Sequence, residues 1–330
     1  MTIKYFLLLL LVPFNLSAKI ITDMAGRNVE VPETIERILP YDSKAELLMF
    51  PVVSDLLVAK AHMPGNREYS YISAAYTELP KVDIKNVEEV LMCQAQVIIA
   101  SYYKSTTNFD NFEKLQQRTK IPVIMLDMSL DNLDESYHFL GELLGREEAC
   151  ALRAQFIQGI YDTTNRLLNE KDAIEHSIYY TIGKTGLMTD PSGSKHSEVI
   201  DFLQLNNVAK IAIPTGGHAK VNMEQVIIWN PDYIFCAGFR GGKSSADLIK
   251  SDSKWQTVDA VKQGNVYNVP TLPFGWFDNP PSINRLPGII WLSELFYGQD
   301  AALTKDLITE FYFLFYNYRL TDNDYQALFQ

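Results

Sequence analysis

The residues in this chain best suited to gripping a small charged solute lie in short segments that follow apolar runs. Tyr41 and Asp42 come first, then His62, Arg67, Tyr69 and Tyr71, then Tyr102, Tyr103 and Lys104. Later come Lys184, Thr215-Gly216-Gly217-His218, Arg240 with Lys243, and Trp276 with Asp278 and Arg285. Aromatic rings offer flat apolar walls, and a guanidinium fork binds a carboxylate or oxyanion through two hydrogen bonds. In open α/β sheets such groups meet beyond the carboxyl ends of the strands. An acidic chain that places Arg and Lys there is expected to build an anion site. Its expected ligand-binding residues are Arg285, Arg240, Trp276, Tyr41, Arg67, Tyr102, Lys184 and His218. Arg285 heads this set because Pro280-Pro281 stiffens the loop before it, and Arg240 follows because Gly241-Gly242 lets backbone approach a ligand.

Direct metal ligation has a weaker sequence signal. The five histidines show no paired spacing of the kind metal sites use. His138 falls within a helical pattern and His176 beside a strand, so both read as structural. His62, His196 and His218 lie in loops that could converge, and their spacing leaves the metal question open. The HExxH, GxGxxG, phosphate-loop and nucleophile-elbow patterns are absent, so neither catalytic residues nor a cofactor are expected. A metal-dependent enzyme stands only as an alternative. The 29 Lys and Arg against 40 Asp and Glu give a net charge of −11 with no basic run, which argues against a nucleic-acid partner. Cys93, Cys150 and Cys236 are far apart in apolar contexts and read as buried thiols.

The elements that must position these residues begin after Ala18. The opening MTIKYFLLLLLVPFNLSA has one early lysine, an apolar run from Tyr5 to Val12 and small residues at Ser17 and Ala18. That is the pattern of a secretory signal peptide over residues 1–18, cleaved after Ala18. The apolar run is too short for a bilayer, which needs about 20 residues. Next, KIITDMAGRNVEVPETIERILPY reads as a hairpin turning at Ala25-Gly26 and then a strand. Short apolar runs then alternate with helical patterns, which implies crossover units and a largely parallel sheet. From Arg146 to Glu170 the pattern changes. Ala149, Leu152, Phe156, Ile160, Thr164 and Leu167 recur at helical spacing over roughly 37 Å, longer than a crossover needs.

The alternation then restarts and repeats one piece. Asn86-Val87-Glu88-Glu89-Val90 leads into the strand at residues 96–100, and Asn222-Met223-Glu224-Gln225-Val226 leads into the strand at 232–236. Each Asn can cap a helix. The expected organisation is therefore an α/β fold of two lobes, residues 19–145 and 171–330, joined by one long helix over 146–170, with the ligand cleft between them.

With ITDMAGRNVEVPETIERIL, NVEEVLMCQAQVIIA, VNMEQVIIWNPDYIF and GWFDNPPSINRLPGIIWLSELFYG in this order, the chain resembles the helix-hinged solute-binding proteins. These are the periplasmic partners of ABC importers for ferric siderophores, haem, cobalamin and some metal oxyanions. The resemblance implies a periplasmic monomer that captures a small metal complex, a ferric siderophore or similar iron chelate foremost. Cobalamin, haem, a nickel or cobalt chelate, and molybdate or tungstate are the alternatives. It also implies that Glu88 and Glu224 meet arginines of an inner-membrane permease. The physics agrees, because a carboxylate in the first turn of a helix is favoured by the dipole, and one on each lobe gives two-point docking.

Overall fold

Strand burial dictates how the lobes are layered. The computed structural model describes residues 17–61, 68–104, 108–170, 176–214, 218–237 and 245–329, so nearly all of the expected leader lies outside the described residues. Strands β1 (Ala18–Thr22) and β2 (Asn28–Pro32) form an antiparallel hairpin. The Asp23 carboxylate ties its turn by accepting from the backbone of Ala25 and Arg27 and from the Arg27 guanidinium. Gly26 there sits at φ +77°, a backbone conformation costly for other residues.

The first lobe is built on a parallel sheet in the order β3 (Ile38–Pro40), β4 (Val97–Tyr102) and β5 (Val123–Asp127). All of β5 and all but the last residue of β4 are buried, which is why these runs are continuously apolar instead of alternating. Around them lie α1 (Ser43–Val53), α2 (Ala74–Thr77), α3 (Val87–Met92), α4 (Asp110–Thr119) and α5 (Leu133–Leu144).

The bridging element is α6 (Glu147–Glu170), 24 residues long, or roughly 36 Å at 1.5 Å per residue. Gly145, at φ +63°, ends α5 so that α6 can fold back along it. That packing rotates the buried stripe from the expected one. Phe156, Ile160, Thr164 and Leu167 are inside as expected, but Cys150 and Ala154 replace Ala149 and Leu152, and Leu152 is 52 % exposed.

The second lobe contains β6 (Ser177–Ile182), β7 (Met188–Thr189), α7 (Glu198–Phe202), β8 (Asn206–Asn207), β9 (Ala219–Lys220) and α8 (Met223–Trp229). It continues with β10 (Tyr233–Ala237), α9 (Ala246–Ser251), α10 (Asp259–Lys262), β11 (Val266–Val269) and α11 (Arg285–Tyr297). The strand order is β11-β10-β6-β7-β9, with β8 also on β6. Strands β6, β8, β10 and β11 are parallel; β7 and β9 form an antiparallel arm.

The chain then returns to the first lobe. Helix α12 (Ala301–Tyr316) sets Phe315 against Tyr137 and Phe156, Tyr316 near Phe50, and Tyr312 on Tyr71. Arg153 of α6 donates to the Leu314 carbonyl at 2.7 Å. Helix α13 (Asp322–Ala327) closes the chain behind a Thr321–Asp324 capping box. The fold is thus two α/β lobes joined by one long helix. Among the described residues no helix is long and apolar enough to cross a membrane. Cys150 and Cys236 are buried thiols, and burial pushes Cys236 up to about 12. Cys93 is only half-buried, and its thiol donates to the Glu89 carbonyl.

Candidate functional site

The antiparallel arm places the first functional pair. Its register sets Met188 opposite Lys220 and Thr189 opposite Ala219, so the next rung brings Asp190 to His218. The His218 Nδ1 lies 2.6 Å from the Asp190 carboxylate. Asp190 is fully buried, while His218 is half-buried.

A loop over 191–197 adds the second histidine. The Asp201 carboxylate gathers this loop, accepting from the Ser192 hydroxyl, the Gly193 N–H and the Ser197 hydroxyl at 2.7–2.9 Å. Asn207 holds the loop's entry by donating to the Asp190 carbonyl. Lys195 and His196 therefore project from a tethered turn. The His196 ring lies 4.7 Å from that of His218, and its Nδ1 is 2.8 Å from the Asp278 carboxylate.

Asp278 comes from the loop before α11. That loop doubles back so tightly that a Cβ on Gly275 would overlap the Asp278 carbonyl oxygen. Lys195, His196, His218 and Asp278 line a cleft of about 390 Å³, together with Ile182, Gly183, Met188, Ala237 and Asn279-Pro280-Pro281, while Asp190 is held behind His218. Lys44 faces them from the first lobe, and Lys195 lies over the ring of Tyr103. The cleft therefore lies between the lobes. Electrostatically it has two layers. Lys44 and Lys195 carry positive charge at the lobe junction. Two carboxylates, 0 % and 5 % exposed, lie behind the imidazoles. Burial, reinforced by Asp278 and opposed by His218, pushes Asp190 up to about 6.

Of the residues expected from sequence, His218 reaches this cleft. Arg285 does not. It is wholly buried, its guanidinium paired with Glu198 and donating to the Met128 carbonyl at 2.5 Å, while its Nε donates to the Ser282 carbonyl. The fork expected for a ligand is spent fastening α7 of the second lobe to the end of β5 in the first. Trp276 is also a core residue, packed edge-on against Trp291 and Phe329. Tyr41 packs at a tilt against Phe112 and Tyr102 lies near Phe109, both against a core cluster of the first lobe and outside the residues that line the cleft. Lys184 is exposed beyond the cleft lining. Arg67, Arg240 and His62 lie outside the described residues. Glu88 and Glu224 stand exposed in the first turns of α3 and α8, capped by Asn86 and Asn222 respectively. Sequence reading underrated His196, Lys195, Lys44 and Asp278. The available signal was the loop histidine pair His196 and His218, together with an acidic residue just after an apolar run at Asp190.

Two lobes, one bridging helix and a polar cleft at their junction define a two-lobed solute receptor. Comparison gives the family: residues 43–271 match the periplasmic binding protein family, and the chain belongs to it. It is 20 % identical over 337 residues to the molybdate-binding protein MolA of Haemophilus influenzae, covering 91 % of this chain and 92 % of that one. It is 23 % identical over 228 residues to the iron(3+)-hydroxamate-binding protein YxeB of Bacillus subtilis, covering 64 % and 68 %. Its fold matches an ABC transporter solute-binding protein from Sulfurospirillum deleyianum with a TM-score of 0.84 at 24 % identity, over 94 % and 98 % of the two chains.

Proposed function

We propose that this chain is the periplasmic receptor of an ABC importer, that its cargo is a metal complex with an iron chelate foremost, and that it is not an enzyme. The observation that carries the reading is the paired imidazoles at the cleft, each backed by a buried carboxylate. That arrangement suits a metal cation, and Lys44 and Lys195 suit anionic groups that accompany it. The names of the two relatives, one for iron hydroxamate and one for molybdate, support metal-containing cargo without choosing between them. Molybdate or tungstate is the second reading, favoured by the two lysines. Against a bare oxyanion stand the two buried carboxylates, since like charges in a low-dielectric site cost several kcal/mol.

Release to the membrane follows from the matched helix starts. Glu88 and Glu224 offer one exposed carboxylate per lobe to basic residues of the permease, and the receptor acts as a monomer. The test is thermal stabilisation of the stripped protein by a panel containing a ferric hydroxamate, ferric citrate, nickel(II) and molybdate. A shift with a metal complex and no turnover supports the receptor. Conversion of any panel member would support an enzyme instead.

A further inference from the structure

The cleft residues show more than a charged surface. His218 turns Nδ1 to Asp190, and His196 turns Nδ1 to Asp278, so in each ring Nε2 is the nitrogen left for a ligand. The Asp190 Oδ2 is buried and has no hydrogen-bond partner among the described residues. His196 Nδ1 and Asp278 Oδ1 are 2.8 Å apart yet misaligned, and neither is satisfied. Buried polar atoms are rarely left this way, because each orphan costs about 1–3 kcal/mol. The His196–Asp278 pair needs only a small realignment to satisfy itself, but the Asp190 Oδ2, on a side chain 0 % exposed, has no such neighbour, and beside two imidazoles its missing partner is a cation. One donor atom each from Asp190, His196 and His218 lie within 4.8 Å of one another. Ligands about 2.0–2.1 Å from a common metal are roughly 3–4 Å apart, so a small ring rotation closes the set.

We propose that Asp190, His196 and His218 coordinate the cargo metal directly, with Asp278 orienting His196, and that the metal is a borderline divalent ion such as nickel(II) or zinc(II). Two imidazoles and one carboxylate favour that class over hard oxygen-seeking cations. Three protein ligands leave positions open toward the cleft for water or a small chelator. A metal already fully wrapped by its chelator would have no use for these donors. This inference rests on the receptor reading, but it puts a divalent nickel or zinc ion in place of the iron chelate as the foremost cargo.

Calorimetry on the chelator-stripped protein tests it, with nickel(II) and zinc(II) chloride as probes and ferric citrate and molybdate in parallel. The expected result is one site per chain for nickel or zinc. His196→Ala and His218→Ala should each weaken it at least tenfold and together abolish it, and Asp278→Asn should weaken it 10–100-fold. His218→Gln, at a half-exposed position, keeps the test valid if an alanine variant misfolds. Wild-type affinity in the double variant overturns direct ligation. Binding of ferric citrate or molybdate without nickel or zinc also overturns it, yet leaves the receptor reading standing. Failure to bind any of the four overturns both.

Discussion

At the residue scale, Arg285 and Asp190 show burial deciding a role. Arg285 is paired with a single carboxylate, Glu198, and both sit where the lobes meet. Arg285→Ala would leave Glu198, which burial already drives upward in pKa, without its counter-charge. We expect a loss of about 3–5 kcal/mol in urea unfolding, with ligand affinity changed less than stability. Asp190 behaves in the opposite way. Its folded pKa, about 6, lies above the ordinary value of 3.8, so the folded state holds an extra proton between those two pH values. Stability from this group is therefore full below about pH 4 and falls as pH rises through 6. Asp190→Asn stays neutral, so its thermal midpoint should exceed wild type at pH 8 and match it near pH 4. An unchanged pH profile would show that Asp190 is not held at this cost. The sequence exposed the chemical types here but not the partners. Nothing local to Arg285 indicates a glutamate 87 positions earlier, and the His196–Asp278 pair spans a similar gap.

At the scale of elements, segments with a hydrophobic period or a capping residue were legible and those with neither were not. The bridging helix, the buried strands of both sheets and the two Asn-capped helices follow from hydrophobic period and caps. The arm of β7 and β9, two residues each, carries no period, and it is the element that brings Asp190 to His218. Helices α3 and α8 present Glu88 and Glu224 to solvent. Reversing both to Lys should abolish uptake in cells while affinity in vitro stays within a few-fold, because rim charges govern encounter with a partner more than the cleft. Collapse of binding in that double variant would place the glutamates in the ligand site. The loop before α11 supplies another test. Gly275→Ala forces a Cβ onto the Asp278 carbonyl and must move that turn. The expected cost is about 1–3 kcal/mol with weakened metal binding, and unchanged calorimetry would mean Asp278 does not orient His196.

At the scale of the whole molecule, the lobes are fastened by more than α6. Arg285 donates to the Met128 carbonyl, Glu198 accepts from the Leu130 N–H, the Tyr103 hydroxyl donates to the Pro281 carbonyl at 3.3 Å, and α12 packs on the first lobe. The sequence put all of residues 171–330 in the second lobe, because the return of α12 to the first is a tertiary event with no local mark. Such fastening predicts a small closure, so ligand should change the radius of gyration in solution scattering by less than about 1 Å, well short of open hinge motion. The most direct measurement of the central claim is metal and mass analysis of the protein isolated natively from its host. The account predicts close to one transition metal per chain, released together with any small chelator when the protein is unfolded. Metal-free protein carrying an organic solute would contradict it.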